Sequence, residues 1–438
     1  MQSYIYSRLL KYHEQNRISF AMPGHKNLRG FDGVDFMKCD VTELPETADL
    51  VGGSDDVSRA NDSIKQLYGT RESFILTCGS TICIKIMIAS ALKPGDTLLI
   101  TPDCHMSVIN ACGVMGVNMR MEANITDEKI THDIGAVLVT SPNYYGVTKD
   151  IASIAEVCRK KGVMLLVDEA HGAHFTGKYG LPKSAVAQGA DMVCQSAHKT
   201  LNALTGGAYL HICTDKPDRE RVKRNIGVFH TSSPSYPIAA SAEMAASILK
   251  DTDYSKIIDE CRDFKESVVN RTAISVFNNN DPTRIVLDFS SYGIRGFDVS
   301  DILSEKYAID VEMADLYNIV LIVTPMNTHS DFETLFSALL KITGSAKKTK
   351  ATKKLPLPPV CCDTFSPRLG MFSRREKCGI LNSVGKRAAD TVMMYPPGTA
   401  IVAAGQIITD DAAKYIDKLT ETGADIRGIN KGMINVIV

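Results

Sequence analysis

The sequence has no excess of charge of either sign and no long apolar run. Its 438 residues carry 49 Lys and Arg against 50 Asp and Glu, a formal net charge of −1. Because proteins that bind nucleic acid or membrane surfaces usually carry a basic excess, we expect neither kind of partner. A run of about 18 apolar residues, which a membrane-spanning helix would need, is missing. The first residues lack the basic and apolar regions of a signal peptide, so we expect a cytoplasmic protein.

The twelve cysteines lack the spacing of a metal site. No Cys-x-x-Cys pair occurs among them, and Cys361 and Cys362 are adjacent. Ligands of structural zinc usually come in such spaced pairs, so we expect no metal. The cysteines are interpreted as free thiols that pack as small apolar residues in a reducing compartment.

The phosphate-binding loop of ATP-hydrolysing enzymes is missing as well. An apolar run at 165–167 leads into Asp-Glu-Ala-His at 168–171, as it does in helicase ATPases. Those enzymes also need a G-x-x-x-x-G-K-S/T loop. The two Gly-Lys pairs of this chain are followed by Tyr179 and Arg387, so ATP hydrolysis is not expected.

Short apolar runs alternate with helix-length segments between residues 70 and 215. The strand-like runs lie at 74–77, 97–101, 136–140, 163–167 and 208–212. Continuous apolar strands that alternate with helices predict an α/β fold around a mostly parallel sheet covered on both faces. Ligands of such sheets bind beyond the carboxyl ends of the strands. The functional site is therefore expected at that edge.

The composition divides the chain into five parts. We expect an N-terminal arm at 1–69, a large α/β domain at 70–245, a smaller α+β domain at 246–344 and a C-terminal domain at 360–438. Residues 345–359, which are rich in Lys and Pro, predict a solvated linker or an extended arm.

A glycine and two hydroxyl residues stand at the start of a predicted helix. Gly79, Ser80 and Thr81 lead from the strand at 74–77 into an apolar helix at 82–92. Glycine lets the backbone turn sharply, and the hydroxyls add to the free N–H groups of the helix start, which makes an anion site. The same three residues could also be an ordinary helix cap.

Two ionisable residues follow other strands of the same predicted sheet. Asp168 closes an apolar strand, where an unpaired carboxylate costs roughly several kcal/mol, so it needs a cationic partner. Lys199 follows the predicted strand at 191–195, beside a serine and a histidine. Pyridoxal phosphate requires a phosphate cradle, a lysine that can form a Schiff base and a carboxylate that keeps the ring nitrogen protonated. The sequence therefore predicts a pyridoxal-phosphate enzyme.

Six short blocks spread over nearly the whole chain carry a resemblance to a known family. They are Met-Pro-Gly-His-Lys at 22–26, Asp-Val-Thr-Glu-Leu-Pro at 40–45, Ser-Pro-Asn-Tyr-Tyr-Gly at 141–146, Ser-Ala-His-Lys-Thr-Leu at 196–201, Thr-Ser-Ser-Pro-Ser-Tyr at 231–236 and Tyr-Pro-Pro-Gly at 395–398. In these blocks the chain resembles the short form of the Orn/Lys/Arg decarboxylases, pyridoxal-phosphate enzymes of the aspartate-aminotransferase fold (fold type I). The resemblance implies decarboxylation of arginine, lysine or ornithine to a polyamine precursor.

The resemblance also implies a role for each candidate residue. Lys199 would form the Schiff base and later donate a proton, Asp168 would pair with the pyridine nitrogen, and His105 would stack on the ring. Ala170 would pack a methyl group under the ring, and His171 would lie near its phenolic side. The implied phosphate ligands are Gly79, Ser80, Thr81, Ser196 and His198, with Ser233 reaching in from the second subunit of a homodimer. His171 could instead be a hydrogen-bonded core histidine.

Two positions depart from the family pattern. Gln406 stands where the pattern has Glu, and if that Glu binds a cationic substrate, the neutral amide would bind it more weakly. Cys78 stands where family members often have Asn, which leaves the backbone cradle intact. Two alternatives to decarboxylation stay open: another pyridoxal-phosphate reaction, such as amino transfer or β-elimination, and a non-catalytic regulatory relative.

Overall fold

The computed structural model describes residues 4–44, 46–47, 49–50, 52–176, 178–345, 355–395 and 398–438. Residues 346–354 of the predicted linker lie outside these ranges, as do residues 1–3 of the predicted arm and three prolines of the family blocks, Pro45, Pro396 and Pro397. The α-helices of the described residues are α1 (Tyr4–Glu14), α2 (Asp55–Tyr68), α3 (Ser80–Ala91), α4 (Met106–Met115), α5 (Ile151–Lys161), α6 (Ala197–Thr200), α7 (Arg219–Phe229), α8 (Tyr236–Asp251), α9 (Ser255–Arg271), α10 (Gly296–Tyr307), α11 (His329–Gly344), α12 (Pro367–Phe372) and α13 (Asp410–Thr420). The strands are β1 (Ile18–Phe20), β2 (Glu72–Leu76), β3 (Thr97–Ile100), β4 (Asn118–Met121), β5 (Ile134–Thr140), β6 (Met164–Asp168), β7 (Met192–Gln195), β8 (Ala208–Ile212), β9 (Ser275–Val276), β10 (Arg284–Asp288), β11 (Ile309–Val311), β12 (Met313–Ala314), β13 (Asn318–Ile322), β14 (Arg375–Gly379), β15 (Val392–Met394), β16 (Thr399–Val402), β17 (Ile426–Arg427), β18 (Ile429–Asn430) and β19 (Met433–Ile437).

Seven strands form the central sheet in the order β2-β8-β7-β6-β5-β3-β4. Neighbouring strands from β7 to β4 are parallel, and only β8 runs antiparallel to its two neighbours. The predicted α/β fold with a mostly parallel sheet is confirmed, and each of the five predicted strand runs overlaps a strand of this sheet.

Both faces of the central sheet are covered, which explains why strands such as β3, β5 and β6 are apolar over most of their length. Leu98 and Ile100 of β3 pack in one core with α3 and α4, whereas Leu99 packs on the other face in a core with α5. Each fully buried side chain of this kind contributes about 1.5–3 kcal/mol. Because alternate residues of β3, β5 and β6 enter different cores, both faces of these strands are apolar, and their polar residues lie at the strand ends.

A second, antiparallel sheet has the order β12-β13-β10-β9. Helices α9, α10 and α11 pack against it through residues such as Phe264, Leu303 and Leu335. The parallel pair formed by β1 and β11 joins the N-terminal arm to this part of the chain. The start of β10 reaches the functional site, as described below.

The C-terminal part contains two three-stranded sheets, β14-β19-β18 and β16-β15-β17, which share a core with α13. An isolated antiparallel bridge between Met119 and Phe365 joins it to the β4 edge of the central sheet. At the described end of the predicted linker, Leu355 is half-buried and its N–H donates to Tyr317 Oη at 3.0 Å, while Leu357 is exposed. The limits proposed for the five parts of the chain stay a prediction.

Within the described ranges no helix is both long and apolar enough to cross a bilayer. All twelve cysteines are described, and none forms a disulfide.

Candidate active site

A cavity of about 350 Å³ lies at the carboxyl ends of the central strands, where the fold class predicts it. Most of the residues predicted for the site line this cavity: Gly79, Ser80, Thr81, His105, Asp168, Ala170, His171, Ser196, His198 and Lys199. Ser233 does not line it; its side chain is exposed, and its N–H donates to Thr231 Oγ1. Segments that are far apart in sequence thus converge on one cavity.

One end of the cavity is lined by hydroxyl groups and a helix start. Ser80 is the first residue of α3, and Ser196 Oγ donates a hydrogen bond to Ser80 Oγ at 2.8 Å. His198 Nδ1 lies 2.9 Å from the carbonyl oxygen of Gly207, to which it donates, and its Nε2 is then free to accept. Burial lowers the pKa of His198 to about 4, so this ring is neutral near pH 7. Free N–H groups at a helix start and adjacent hydroxyls suit a phosphate group.

Asp168 lies at the end of β6 and is 3% exposed. Its Oδ1 accepts from the Ala170 N–H at 3.1 Å and from the Cys194 thiol at 3.7 Å. Asp168 forms no ion pair with any described residue. A buried carboxylate that faces a cavity without a cationic partner fits the protonated ring nitrogen of pyridoxal phosphate.

Lys199 lies in the short helix α6, which follows β7. Its Nζ is 3.2 Å from His171 Nε2 and 5.8 Å from the centroid of the Tyr144 ring. Burial lowers the pKa of the Lys199 amine, and the nearby carboxylates of Asp168 and Glu312 only partly offset this effect. A lowered pKa makes the uncharged, nucleophilic amine more abundant.

The two histidines near the lysine differ in their surroundings. His105 caps α4, because its Nδ1 accepts from the Ser107 N–H at 3.2 Å. His171 is 3% exposed, its ring centroid is 4.5 Å from that of Tyr144, and its Nδ1 is 3.3 Å from Arg284 Nη2. Burial and the adjacent Lys199 and Arg284 hold the pKa of His171 well below its usual range. His171 is buried and hydrogen-bonded, as expected of a core histidine, and yet it lines the cavity.

The Met-Pro-Gly-His-Lys block supports the short helix α6, which carries Lys199. Lys26 is 1% exposed, and its Nζ donates to the carbonyl oxygens of Ala21 at 2.6 Å and Ile322 at 3.0 Å. The Gly24 N–H donates to the carbonyl oxygen of His198 at 2.8 Å. A Cβ at Gly24 would lie 2.1 Å from the Leu201 carbonyl oxygen, so only glycine permits this approach.

Several lining residues were not predicted as site residues: Met22, Cys78, Asp103, Cys104, Thr140, Tyr144, Thr205, Gly206, Gly398 and Thr399. Met22, Tyr144 and Gly398 belong to the family blocks, and this membership was the sequence feature that could have identified them as site residues. Asp103 follows β3, as His105 does, and its Oδ2 accepts from Lys149 Nζ at 2.7 Å. No local pattern marks Thr399, which begins a strand of the C-terminal part.

Gln406 is not among the residues that line the cavity. It is 2% exposed; its Oε1 accepts from the Ala403 N–H, and its Nε2 donates to the Cys361 carbonyl oxygen, each at 3.0 Å. Both ends of the amide are thus bound to backbone within the C-terminal part. In this chain position 406 stabilises a turn, and it adds no group to the cavity.

Fold and cavity together define an enzyme of the aspartate-aminotransferase fold. The lysine decarboxylase of Francisella novicida superposes with a TM-score of 0.75 at 18% identity, covering 94% of this chain and 76% of that one. The serine palmitoyltransferase of Sphingomonas wittichii superposes with a TM-score of 0.61 at 17% identity, covering 76% of this chain and 89% of the other. These likenesses establish the fold.

The sequence comparisons identify the family. The model of the Orn/Lys/Arg decarboxylase major domain matches residues 4–119 and 117–287. The arginine decarboxylase of Bacillus anthracis is 30% identical over 97% of this chain and 94% of its own length. The chain belongs to the Orn/Lys/Arg decarboxylase family. Pyridoxal phosphate is the cofactor that this family and fold imply, and the unpaired Asp168, Lys199 and the start of α3 fit it.

Proposed function

We propose that the protein is a pyridoxal-phosphate-dependent decarboxylase of arginine, lysine or ornithine, which releases CO2 and the corresponding amine. The observation that carries the proposal is that Lys199 and the unpaired, buried Asp168 share one cavity with the start of α3. Relatives named arginine decarboxylase and lysine decarboxylase support the substrate class. The cytosolic production of a polyamine precursor would be its metabolic role.

The chain's own residues divide the work between binding and proton transfer. Gly79, Ser80, Thr81, Ser196 and His198 would hold the phosphate. Asp168 would keep the ring nitrogen protonated, and His105 and Ala170 would hold the ring from its two faces. When bound, pyridoxal phosphate supplies a ring that withdraws the electron pair left by CO2. Lys199 would attach the cofactor covalently and return a proton to the substrate carbon, with His171 beside its amine.

We further propose a homodimer with shared active sites. In the single chain, Ser233 is exposed outside its own cavity, so it is available to the cavity of a second copy. The N-terminal helix α1 has no buried residue, and Tyr4, Ile5 and Leu9 are each at least 60% exposed. Such an apolar helix face is typical of a surface that another subunit covers.

A cytoplasmic location is part of the same proposal. None of the twelve cysteines forms a disulfide, and most of them are buried. This use of cysteine is typical of a reducing compartment.

The test is a substrate screen with the cofactor-loaded protein. L-Arginine, L-lysine and L-ornithine are supplied in turn, and CO2, amine and keto acid are measured together. We expect CO2 and amine in equal amounts from one of the three, and neither from a Lys199→Ala variant. A keto acid without CO2 would show amino transfer instead. A protein that binds no cofactor and forms no product would be a non-catalytic relative.

A further inference from the structure

Arg284, the first residue of β10, contacts the active-site histidine from the second sheet. Its Nη2 lies 3.3 Å from His171 Nδ1. The Arg284 side chain is fully buried at 1% exposure, and its Nε and Nη1 have no hydrogen-bond partner. The contact with His171 is therefore the one hydrogen bond that this guanidinium makes with the described part of the chain.

The sequence holds Arg284 in this position in two ways. Gly146 has a φ of +81°, and a Cβ there would lie 2.7 Å from Arg284 Cβ, so glycine leaves room for the arginine. Asn279 Nδ2 donates to the Tyr145 carbonyl oxygen at 2.7 Å and to the Arg284 carbonyl oxygen at 2.9 Å. The turn after β5 and the start of β10 are thus joined next to the cavity.

The chemistry of the guanidinium fixes the protonation of the histidine ring. An arginine side chain has donors and no acceptor, so His171 Nδ1 must accept from it. The hydrogen of the neutral imidazole then lies on Nε2. Nε2 is 3.2 Å from Lys199 Nζ, so the N–H faces the lysine amine, which accepts with its lone pair.

The groups that face His171 keep its ring uncharged. They are Lys199, Arg284, His105 and His198, together with the Tyr144 ring. Among them Lys199 and Arg284 are the cationic groups; the carboxylates of Asp168 and Glu312 act on Lys199, and those of Asp281 and Glu312 act on Arg284. A second positive charge on His171 would meet this cluster without a carboxylate partner of its own.

We propose that Arg284 is a positioning residue that fixes the His171 tautomer and so directs the Nε2 hydrogen at Lys199. The lysine is thereby held as an uncharged amine, ready to attack the cofactor aldehyde. The catalytic importance of this role of Arg284 rests on the proposed function, whereas the tautomer of His171 can be measured in the cofactor-free protein.

The first experiment is ¹⁵N NMR of the cofactor-free protein labelled at histidine, with His171 assigned from a His171→Gln variant. In the unmodified chain, we expect Nε2 protonated and Nδ1 bare near neutral pH. Arg284→Met removes the donor and should move hydrogen onto Nδ1, and Arg284→Lys, which can only donate, should restore the original signal. Arg295→Met is the matched control, because Arg295 pairs with Asp298 at the surface of the same part of the chain.

The second experiment measures cofactor capture against pH, with borohydride to fix the covalent link at each time point. Because the charge of Arg284 lowers the pKa of Lys199, Arg284→Met should shift the capture profile to higher pH, while Arg284→Lys should leave it in place. A proton on His171 Nδ1 in the unmodified chain would overturn the proposal even if the methionine variant does not fold. An unchanged tautomer in a folded Arg284→Met protein would also overturn it. A failed substrate screen with the expected tautomer would refute only the decarboxylase function.

Discussion

Ser196 and Ser80 are hydrogen-bonded across 2.8 Å, although 116 residues separate them in the sequence. Ser80 begins α3, and Ser196 follows the last residue of β7. The contact brings the two hydroxyl groups together at the helix start, where the backbone N–H groups are free. Both serines line the cavity at this position, and their hydroxyls suit a phosphate group there.

Removal of either hydroxyl should weaken cofactor binding. A hydrogen bond to a charged group is worth about 1.5–3 kcal/mol, so Ser80→Ala or Ser196→Ala should each raise the dissociation constant about tenfold or more. The double variant should lose less binding free energy than the sum of the two single losses, because the two serines are hydrogen-bonded to each other. Equilibrium titration of cofactor-free protein with pyridoxal phosphate measures this. Ser63→Ala, on the exposed side of α2, is the control. An affinity equal to that of the unmodified protein in both single variants and in the double variant would contradict the phosphate assignment.

Asp168→Asn should separate cofactor binding from turnover. The amide keeps the shape of the side chain and can still accept from the Ala170 N–H, but it cannot stabilise a positive charge on the ring nitrogen. We expect the variant to bind pyridoxal phosphate and to lose about 10²–10³-fold in kcat, the usual cost of removing one electrostatic group from an active site. Steady-state rates at saturating cofactor measure the loss. A kcat within a few-fold of the unmodified enzyme would argue against the pairing.

Shared active sites predict complementation between two defective variants. Lys199→Ala removes the covalent attachment, and Ser233→Ala would remove the phosphate contact proposed for the second subunit. In a mixed dimer, the intact lysine of one chain meets the intact serine of the other, which recreates one normal site. When the two variants are mixed and their subunits are allowed to exchange, the mixture should therefore be more active than the average of the two variants measured separately. Activity equal to that average would indicate that each site is built from a single chain.

The sequence predicted the central sheet because its signal is local. Apart from Thr140, the runs at 136–140 and 163–167 are apolar at every position, as expected of strands buried on both faces, and β5 and β6 overlap them closely. The polar residues that follow the strands were equally visible, since Asp168 ends an apolar run and Lys199 lies in the Ser-Ala-His-Lys-Thr-Leu block directly after β7. The fold class then placed those ends at one edge of the sheet.

The rest of the site comes from contacts that no local pattern encodes. Arg284 begins a strand of another sheet, and its burial beside His171 depends on Gly146 and on the packing of two distant segments. Thr399 reaches the cavity from the C-terminal part in the same long-range way. Gln406 does not line the cavity of the single chain. The effect of this departure on substrate binding stays a prediction, because the sequence shows which residue is substituted and not where its side chain points.

Glu169, next to Asp168, should make the stability of the fold depend on pH. Burial raises the pKa of its carboxyl from the ordinary 4.5 to about 7, although Ser184, Ala185 and Gln195 donate hydrogen bonds to it. Between these two values the folded chain keeps a proton that the unfolded chain has released. The contribution of Glu169 to the free energy of unfolding is therefore fully present below pH 4.5 and is lost as the pH rises through about 7.

A Glu169→Gln variant isolates this contribution, since its amide does not titrate. The variant loses one acceptor and should be less stable at low pH, but the difference from the unmodified chain should shrink as the pH rises. Urea unfolding at a series of pH values measures the two curves. Glu156→Gln, on the exposed face of α5, is the control and should give a difference that changes little over the same range. Parallel curves for Glu169→Gln would show that its carboxyl titrates normally.

Gln406→Glu tests whether the family's acidic residue at this position would act on the substrate in this chain. Gln406 Nε2 donates to the Cys361 carbonyl oxygen, and a carboxylate there would place a buried negative charge against that oxygen. We expect the substitution to destabilise the fold by about 2–5 kcal/mol and to leave the relative rates on arginine, lysine and ornithine unchanged. Urea unfolding and the ratio of kcat/KM values measure the two effects, with the exposed Gln66→Glu as the control. A higher kcat/KM for one cationic substrate would show that the acidic side chain at position 406 acts on the substrate.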